Sequence, residues 1–145
     1  MASGDEHLAP GPHEARRVAA RRQQSQLDFD IAFFDRVLAR NPADVHILRR
    51  QAESLACKGE YVRALELDRR LVSLLPHDCV ARYNLACSLA LGEYRGEAID
   101  QLRRALEQGY DDFEYLAHDT DLKNLREEPA YQALLREFGV EHIAP

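Results

Sequence analysis

Long apolar runs are missing from this chain of 145 residues. No stretch of about 18 consecutive apolar residues occurs, so we expect no transmembrane helix and no place within a membrane. Residues 1–17 lack the apolar core of a secretory signal, so we expect none and take the cytoplasm as the location. The hydrophobic share of 46% nevertheless suits a folded protein of one compact unit.

Cysteine and lysine are also scarce, and the chain carries no net positive charge. The three cysteines, Cys57, Cys79 and Cys87, are an odd number, which argues against a disulfide framework and favours a reducing compartment. The net charge is −6, which disfavours nonspecific nucleic-acid binding by the whole chain. Lys58 and Lys123 are the only lysines, and the excess of arginine leads us to expect a bacterial source with a GC-rich genome.

One group of basic residues departs from this acidic balance: Arg16, Arg17, Arg21 and Arg22. A nucleic acid or an acidic partner would require such a concentration of positive charge. The group lacks interleaved aromatic residues and is followed by glutamines, so we interpret it as the solvated face of a helix.

Catalytic signatures are missing as well. The sequence has no Walker loop, no GxGxxG, no HExxH, no CxxC and no GxSxG. Glu114, Asp119 and Asp121 near His118 resemble an acid–base cluster, but helix caps and a solvated face explain these carboxylates better. Free cysteines commonly act as small buried hydrophobic residues. We therefore predict that the protein is not an enzyme and that it binds no metal and no cofactor.

In place of motifs, the chain has residue types that return every 34 positions. Aspartates recur at Asp44, Asp78 and Asp112. The same spacing relates Ile31, Leu65 and Ile99, then Ala64 and Ala98, then Pro42 and Pro76. A fixed period of this length indicates stacked helical units rather than one irregular globular fold.

Residues 45–78 and 79–112 each contain two helical patterns joined by a glycine, Gly59 in the first and Gly92 in the second. Apolar residues recur at helical spacing in all four patterns, so we predict an all-α protein. Each of the three periodic aspartates precedes an apolar run and is predicted to cap a helix. Gly92 comes one residue earlier in its copy than Gly59, so we predict an irregular turn there.

These residues resemble the pattern of the tetratricopeptide repeat (TPR) family. The small residues of that pattern correspond to Ala52 and Ala86 in the first helices and to Ala64 and Ala98 in the second. Its closing prolines correspond to Pro42 and Pro76. The sequence YNLA at residues 83–86 is similar to a common first-helix sequence of the family. Tyr110 stands where the second copy should close with proline. The resemblance implies a short right-handed superhelical solenoid of antiparallel helix pairs.

The period and the resemblance together divide the chain into five segments. These are a disordered tail (1–13), an N-terminal helical segment or partial repeat (14–44), two TPR repeats (45–78 and 79–112) and divergent C-terminal capping helices (113–145). Residues 27–40 correspond to the second helix of an upstream repeat, whose first helix is either residues 14–26 or missing. Within the last segment, Pro129 is predicted to begin a helix and Gly139 to end it.

The resemblance also implies which residues face the concave groove of the array. They are His46, Arg49, Arg50, Glu53, Val80, Tyr83, Asn84 and Cys87. Arg49 and Arg50 favour a ligand that carries carboxylates, Asn84 can hold a peptide backbone, and Tyr83 offers an aromatic platform. We therefore predict a non-catalytic module that binds a partner protein or peptide segment in this groove.

Two other interpretations remain open. The groove residues could simply be the solvated face of their helices. The protein could also be a self-associating structural subunit or adaptor, a weak homo-oligomer joined through its terminal helices. A short array leaves apolar edges uncovered, and such edges drive association.

Overall fold

The computed structural model describes residues 12–140, with side chains from residue 19 onward. Every regular element within this range is helical, and no strand occurs there, which confirms the predicted all-α class. The elements are α1 (Pro12–Arg40), α2 (Val45–Lys58), α3 (Tyr61–Leu74), α4 (Cys79–Leu91), α5 (Arg95–Glu107), α6 (Phe113–His118), a 3-10 helix (Thr120–Leu125) and α7 (Pro129–Glu137). None of the described helices combines the length and the apolar character that crossing a bilayer requires.

The three periodic aspartates begin helices, as the sequence predicted. Asp44, Asp78 and Asp112 each accept a hydrogen bond on Oδ1 from the backbone N–H three residues ahead, at 3.0 to 3.1 Å. Such a bond satisfies one of the free donors of the first turn and contributes about 1 kcal/mol. The helices α2, α4 and α6 therefore begin at equivalent points of the 34-residue period.

The helices pack in adjacent pairs, α2 with α3 and α4 with α5, and α3 also packs against α4. Short links join the members of each pair, so the two helices run in opposite directions. The periodic alanines are buried: Ala52, Ala64, Ala86 and Ala98 are all 0 to 4% exposed. Burial of Ala64 and Ala98 agrees with the close helix contacts predicted there.

The N-terminal segment differs from the expected arrangement. Residues 14–26 are neither a separate first helix nor missing, because α1 runs without a break from Pro12 to Arg40. The sequence between Ala20 and Leu27 holds no glycine or proline, so nothing interrupts the backbone hydrogen bonds there. The tail predicted over residues 1–13 lies outside the described residues, except that Pro12 and His13 belong to α1.

The turn between α4 and α5 is irregular, as predicted. Gly59 ends α2 with a left-handed φ of 85°, which glycine adopts without strain. In the second turn Gly92 has a φ of −82°, and the left-handed position falls on Glu93, with a φ of 66°. Because glycine comes one residue early, a residue with a side chain takes the strained conformation.

The C-terminal segment follows its predicted boundaries and covers the end of the α4–α5 pair. Pro129 stands in the first turn of α7, and Gly139 adopts a φ of 71° just after that helix. The 3-10 helix packs on α4 and α5, and α7 packs on α5. Leu122, Leu125 and Leu134 are completely buried and extend the core of the pair.

Ion pairs connect the outer faces of successive elements. They are Asp35 with Arg63, Arg69 with Glu97, and Arg103 with Glu137. The first partners, residues 35, 69 and 103, are equivalent in the 34-residue period, although the sign of the charge changes. Exposed pairs of this kind contribute about 0–1 kcal/mol each, so they add little to the stability of the stack.

Lengthening an alanine at a helix contact should destabilise the fold. Ala98 is completely buried, and Ala98→Leu should lower the free energy of unfolding by about 1–3 kcal/mol through overpacking. Chemical denaturation would measure this change. Ala32→Leu, on the exposed face of α1, is the matched control and should leave stability nearly unchanged; equal effects of both substitutions would contradict close packing at Ala98.

Relieving the strained turn should stabilise the protein. Glu93→Gly removes a left-handed conformation that costs about 1–2 kcal/mol for a residue with a side chain, offset in part by the greater entropy of unfolded glycine. Glu93 also pairs with Arg95, so Glu93→Ala is the reference because it loses the ion pair and keeps the strain. Thermal unfolding should show Glu93→Gly to be more stable than Glu93→Ala by about 1 kcal/mol; a lower stability of the glycine variant would contradict the strain.

Candidate functional site

A groove of about 510 Å³ lies between α2 and α4, and we call it the α2–α4 groove. Five of the eight residues predicted to face a groove line it: Arg49, Glu53, Tyr83, Asn84 and Cys87. Further lining residues include Ser88 of α4, Asp68 of α3, Tyr115 of α6, Asp119 at the start of the 3-10 helix and Asp121 within it. The site therefore draws on residues from positions 49 to 121, far apart in the sequence.

Three predicted residues do not line the groove. His46, Arg50 and Val80 are exposed elsewhere on their helices. The guanidinium carbon of Arg50 lies 5.2 Å from the centre of the Phe34 ring of α1, in a cation–π contact. Arg50 thus faces the α1 side of α2, and the charge assigned to it in the groove is absent.

Arg49 remains in the groove, but an ion pair fixes its position. Its Nη2 lies 3.1 Å from Oδ2 of Asp78, and the Arg49 side chain is 38% exposed. Asp78 also caps α4 through its other oxygen, and the Ala81 N–H and the Arg49 guanidinium together lower the pKa of Asp78. Arg49 therefore joins α2 to the beginning of α4, and part of its charge is already neutralised.

Asp119 connects the C-terminal segment to α4. The Tyr83 hydroxyl donates to Asp119 Oδ2 at 2.6 Å, and Cys87 Sγ lies 3.5 Å from the same oxygen. The other oxygen accepts from the backbone N–H of Asp121 at 3.0 Å and caps the 3-10 helix. Asp119 is 7% exposed, so its hydrogen bonds compensate for the loss of water around a buried carboxylate.

Tyr83 is not the open aromatic platform that we expected. The side chain is buried, its hydroxyl is bonded to Asp119, and its ring stacks on Tyr110 with centroids 4.1 Å apart. Tyr110 occupies the position of the expected closing proline, and this stacking accounts for the departure. The exposed aromatic ring of the groove is Tyr115, which is 57% exposed.

Asp68 is the second buried carboxylate of the groove. It is 5% exposed and accepts a hydrogen bond on Oδ2 from the Ser88 hydroxyl. Burial raises the pKa of Asp68 to about 6, and the bond from Ser88 and the charge of Arg49 oppose this effect. Oδ1 accepts no hydrogen bond from any described residue, and the side chain borders the groove.

The charge of the groove is predominantly negative. Glu53, Asp68, Asp119 and Asp121 line it, against the single cation of Arg49. Burial, followed by the charge of Asp119, raises the pKa of Asp121, as expected where carboxylates gather. A ligand that carries carboxylates, which Arg49 and Arg50 suggested from the sequence, would meet repulsion at this lining.

Neither a metal site nor a catalytic pair follows from these groups. Potential ligand atoms of Cys87, Asp119 and Asp121 lie within 4.8 Å of one another, but both oxygens of Asp119 already accept hydrogen bonds. Burial and the Asp119 charge raise the pKa of the Cys87 thiol, which keeps its proton. Ser88 donates directly to a carboxylate, with no histidine to serve as a base strong enough to activate it.

Sequence reasoning missed two central residues of the groove, Asp68 and Asp119. Asp68 belongs to a second helix, whereas the resemblance placed groove residues on first helices only. The sequence feature that could have identified Asp68 is its place within an apolar stripe of α3. Ala64 and Leu71 flank it at helical spacing, and both are buried. Asp119 was interpreted as a cap on a solvated face; it is a cap, but it is buried.

Removing the charge of Asp68 should stabilise the protein at neutral pH. The folded pKa of about 6 exceeds the ordinary 3.8, so the folded state binds the proton more tightly. The contribution of Asp68 to stability is therefore present at low pH and lost as the pH rises between these two values. Asp68→Asn should raise the free energy of unfolding by about 1–3 kcal/mol at pH ~7.5 and by little at pH ~4.

Urea denaturation of wild type and Asp68→Asn at both pH values would measure this difference. Ser88→Ala is the opposing control, because it removes the donor to the ionised carboxylate and should lower stability at neutral pH. An Asp68→Asn variant less stable than wild type at neutral pH would show that the carboxylate is well solvated.

Comparison with known proteins gives one partial similarity and no family. No family model matches the chain. Among curated proteins, the chain is similar to a chloroplastic protein of Arabidopsis thaliana, with 30% identity over 97 residues. The similar region covers 65% of this chain and 29% of that protein, so the chain spans less than a third of the length of the relative.

Proposed function

We propose that the protein is a non-catalytic interaction module of TPR type, which binds a polypeptide segment of a partner in the α2–α4 groove. The observation that carries this proposal is Asn84. Its side chain borders the groove and makes no hydrogen bond to any described residue. An amide with free donors and a free acceptor is suited to the backbone of an extended segment.

Other features of the groove support the same proposal. Glu53 is exposed and Tyr115 is 57% exposed, so the groove offers a charge and an aromatic surface alongside the amide. A volume of about 510 Å³ accommodates several side chains of a bound segment. Aromatic and polar residues around a concave surface are typical of sites that recognise proteins.

The TPR assignment rests on the period of the sequence and on helices that begin at equivalent points. The helices α2, α4 and α6 start at residues 45, 79 and 113, each after a capping aspartate. The alanines that the resemblance implies at close contacts are buried in both pairs. Stacked helix pairs usually present an extended surface for partners. A bacterial source and a cytoplasmic location stay predictions from the sequence.

A non-catalytic role agrees with the chemistry of the buried groups. Ser88, Cys87 and Tyr83 each donate to a carboxylate rather than to a base that could activate them. Burial raises the pKa of both Cys87 and Tyr83. These groups stabilise the walls of the groove and leave its exposed lining for binding.

Affinity capture from a native lysate would test the proposal. The groove variant is Glu53→Lys with Asn84→Ala, two residues without hydrogen bonds to described residues, so the fold should persist. We expect wild type to capture a protein that this variant loses, with affinity for its binding segment reduced roughly ten- to a hundredfold in calorimetry.

Glu66→Lys is the matched control, because it makes the same charge change on an exposed position of α3 that does not line the groove. The control should capture the same protein as wild type. Equal capture by all three proteins, or a larger loss with Glu66→Lys, would place the binding surface elsewhere.

A further inference from the structure

The N-terminal part of α1 extends beyond the rest of the protein. Lys58, the last residue of α2, lies with its Nζ 2.6 Å from Oδ1 of Asp28, so α1 residues before Asp28 lie past the end of α2. Residues 12–27, which we call the α1 arm, span about 24 Å at 1.5 Å per residue. The side chains of residues 19–26 are all exposed, so the described part of the arm packs against nothing in its own chain.

The composition of the arm determines what it can bind. Arg21 and Arg22 are exposed and make no ion pair with any described residue. The arm sequence adds Arg16 and Arg17, whose side chains lie outside the described residues, against one acidic residue, Glu14. The larger apolar residues of the arm are only Val18 and Leu27, so positive charge is the property that distinguishes it.

The α2–α4 groove has the opposite charge. Glu53 and Asp121 face the groove without hydrogen bonds from their side chains to other described residues. Asp68, only 5% exposed, directs a carboxylate toward the groove with Oδ1 unpaired among described residues. A guanidinium that entered the groove could donate to this free oxygen in a charge-assisted hydrogen bond.

We propose that the α1 arm of one copy of this protein binds in the α2–α4 groove of a second copy. The proposal rests on the function proposed above and identifies the segment that the groove accepts as a basic one. The arm cannot reach its own groove, because α1 is one continuous helix that leads away from the end of α2. Two copies that exchange arms would form a closed dimer, and arms passed in one direction would form open chains.

Sedimentation velocity of the full chain would test the contact. At about 100 µM we expect wild type to associate. Raising the salt from about 0.1 M to 1 M should dissociate it, because the screening length falls from about 10 Å to 3 Å. Electrostatic contacts determine specificity and rate more than affinity, so the association should be weak and sensitive to salt.

Charge exchange provides the decisive comparison. The arm variant is Arg21→Glu with Arg22→Glu. For this comparison the groove variant is Glu53→Lys with Asp121→Lys, not the variant used for affinity capture. Each alone should weaken association at least about tenfold, and an equal mixture of the two should restore it. The side chains of residues 19–26 are exposed, and circular dichroism would show that both variants keep their helices.

Exposed residues elsewhere provide matched controls, namely Arg70→Glu with Arg104→Glu and Glu66→Lys with Glu107→Lys, and both double variants should associate as wild type does. Any of three results would overturn the proposal. Wild type could be monomeric, association could survive in either the arm or the groove variant, or the mixture of the two variants could stay dissociated. A monomeric wild type that still loses its captured protein on Glu53→Lys with Asn84→Ala would overturn only the self-association, not the function proposed for the groove.

Discussion

Close approach of helices at small side chains is the constraint on which the rest of the structure depends. Ala52, Ala64, Ala86 and Ala98 lie where neighbouring helices cross and are almost fully buried. A side chain of one carbon lets the helices approach, and the leucines around it then interdigitate at the density of a protein interior. Because the aspartate caps start successive helices at equivalent points, the alanines are buried at equivalent positions in both pairs.

Buried carboxylates give the groove its character at some cost in stability. Asp119 is fully bonded and holds the C-terminal segment against α4, so its burial has a structural explanation. Asp68 has one donor, from Ser88, and its pKa is raised to about 6. Groups whose pKa is strongly shifted by burial in a cleft often mark functional sites. Asp68 is such a group, because it borders the groove and its pKa is raised.

The charges of the chain are segregated, although the net charge of −6 hides this. Arginines concentrate on the α1 arm, whose described side chains do not line the groove of their own chain, while carboxylates concentrate in the groove. Elsewhere on the surface, some opposite charges pair across successive helices, as Arg69 does with Glu97. The arm and the groove therefore present concentrated charges of opposite sign.

The sequence by itself determined the all-α class, the starts of α2, α4, α6 and α7, and the burial of the periodic alanines. Caps such as Asp44 act over three residues, and helical stripes repeat over three or four, so local spacing suffices to predict them. The groove required tertiary structure, because its contacts join residues far apart: Tyr83 to Asp119 across 36 positions and Ser88 to Asp68 across 20. Only the packed helices decide that Arg50 turns to Phe34 and that the lining is acidic. Consecutive residues of a helix point about 100° apart, and the packing decides which neighbour each of them meets.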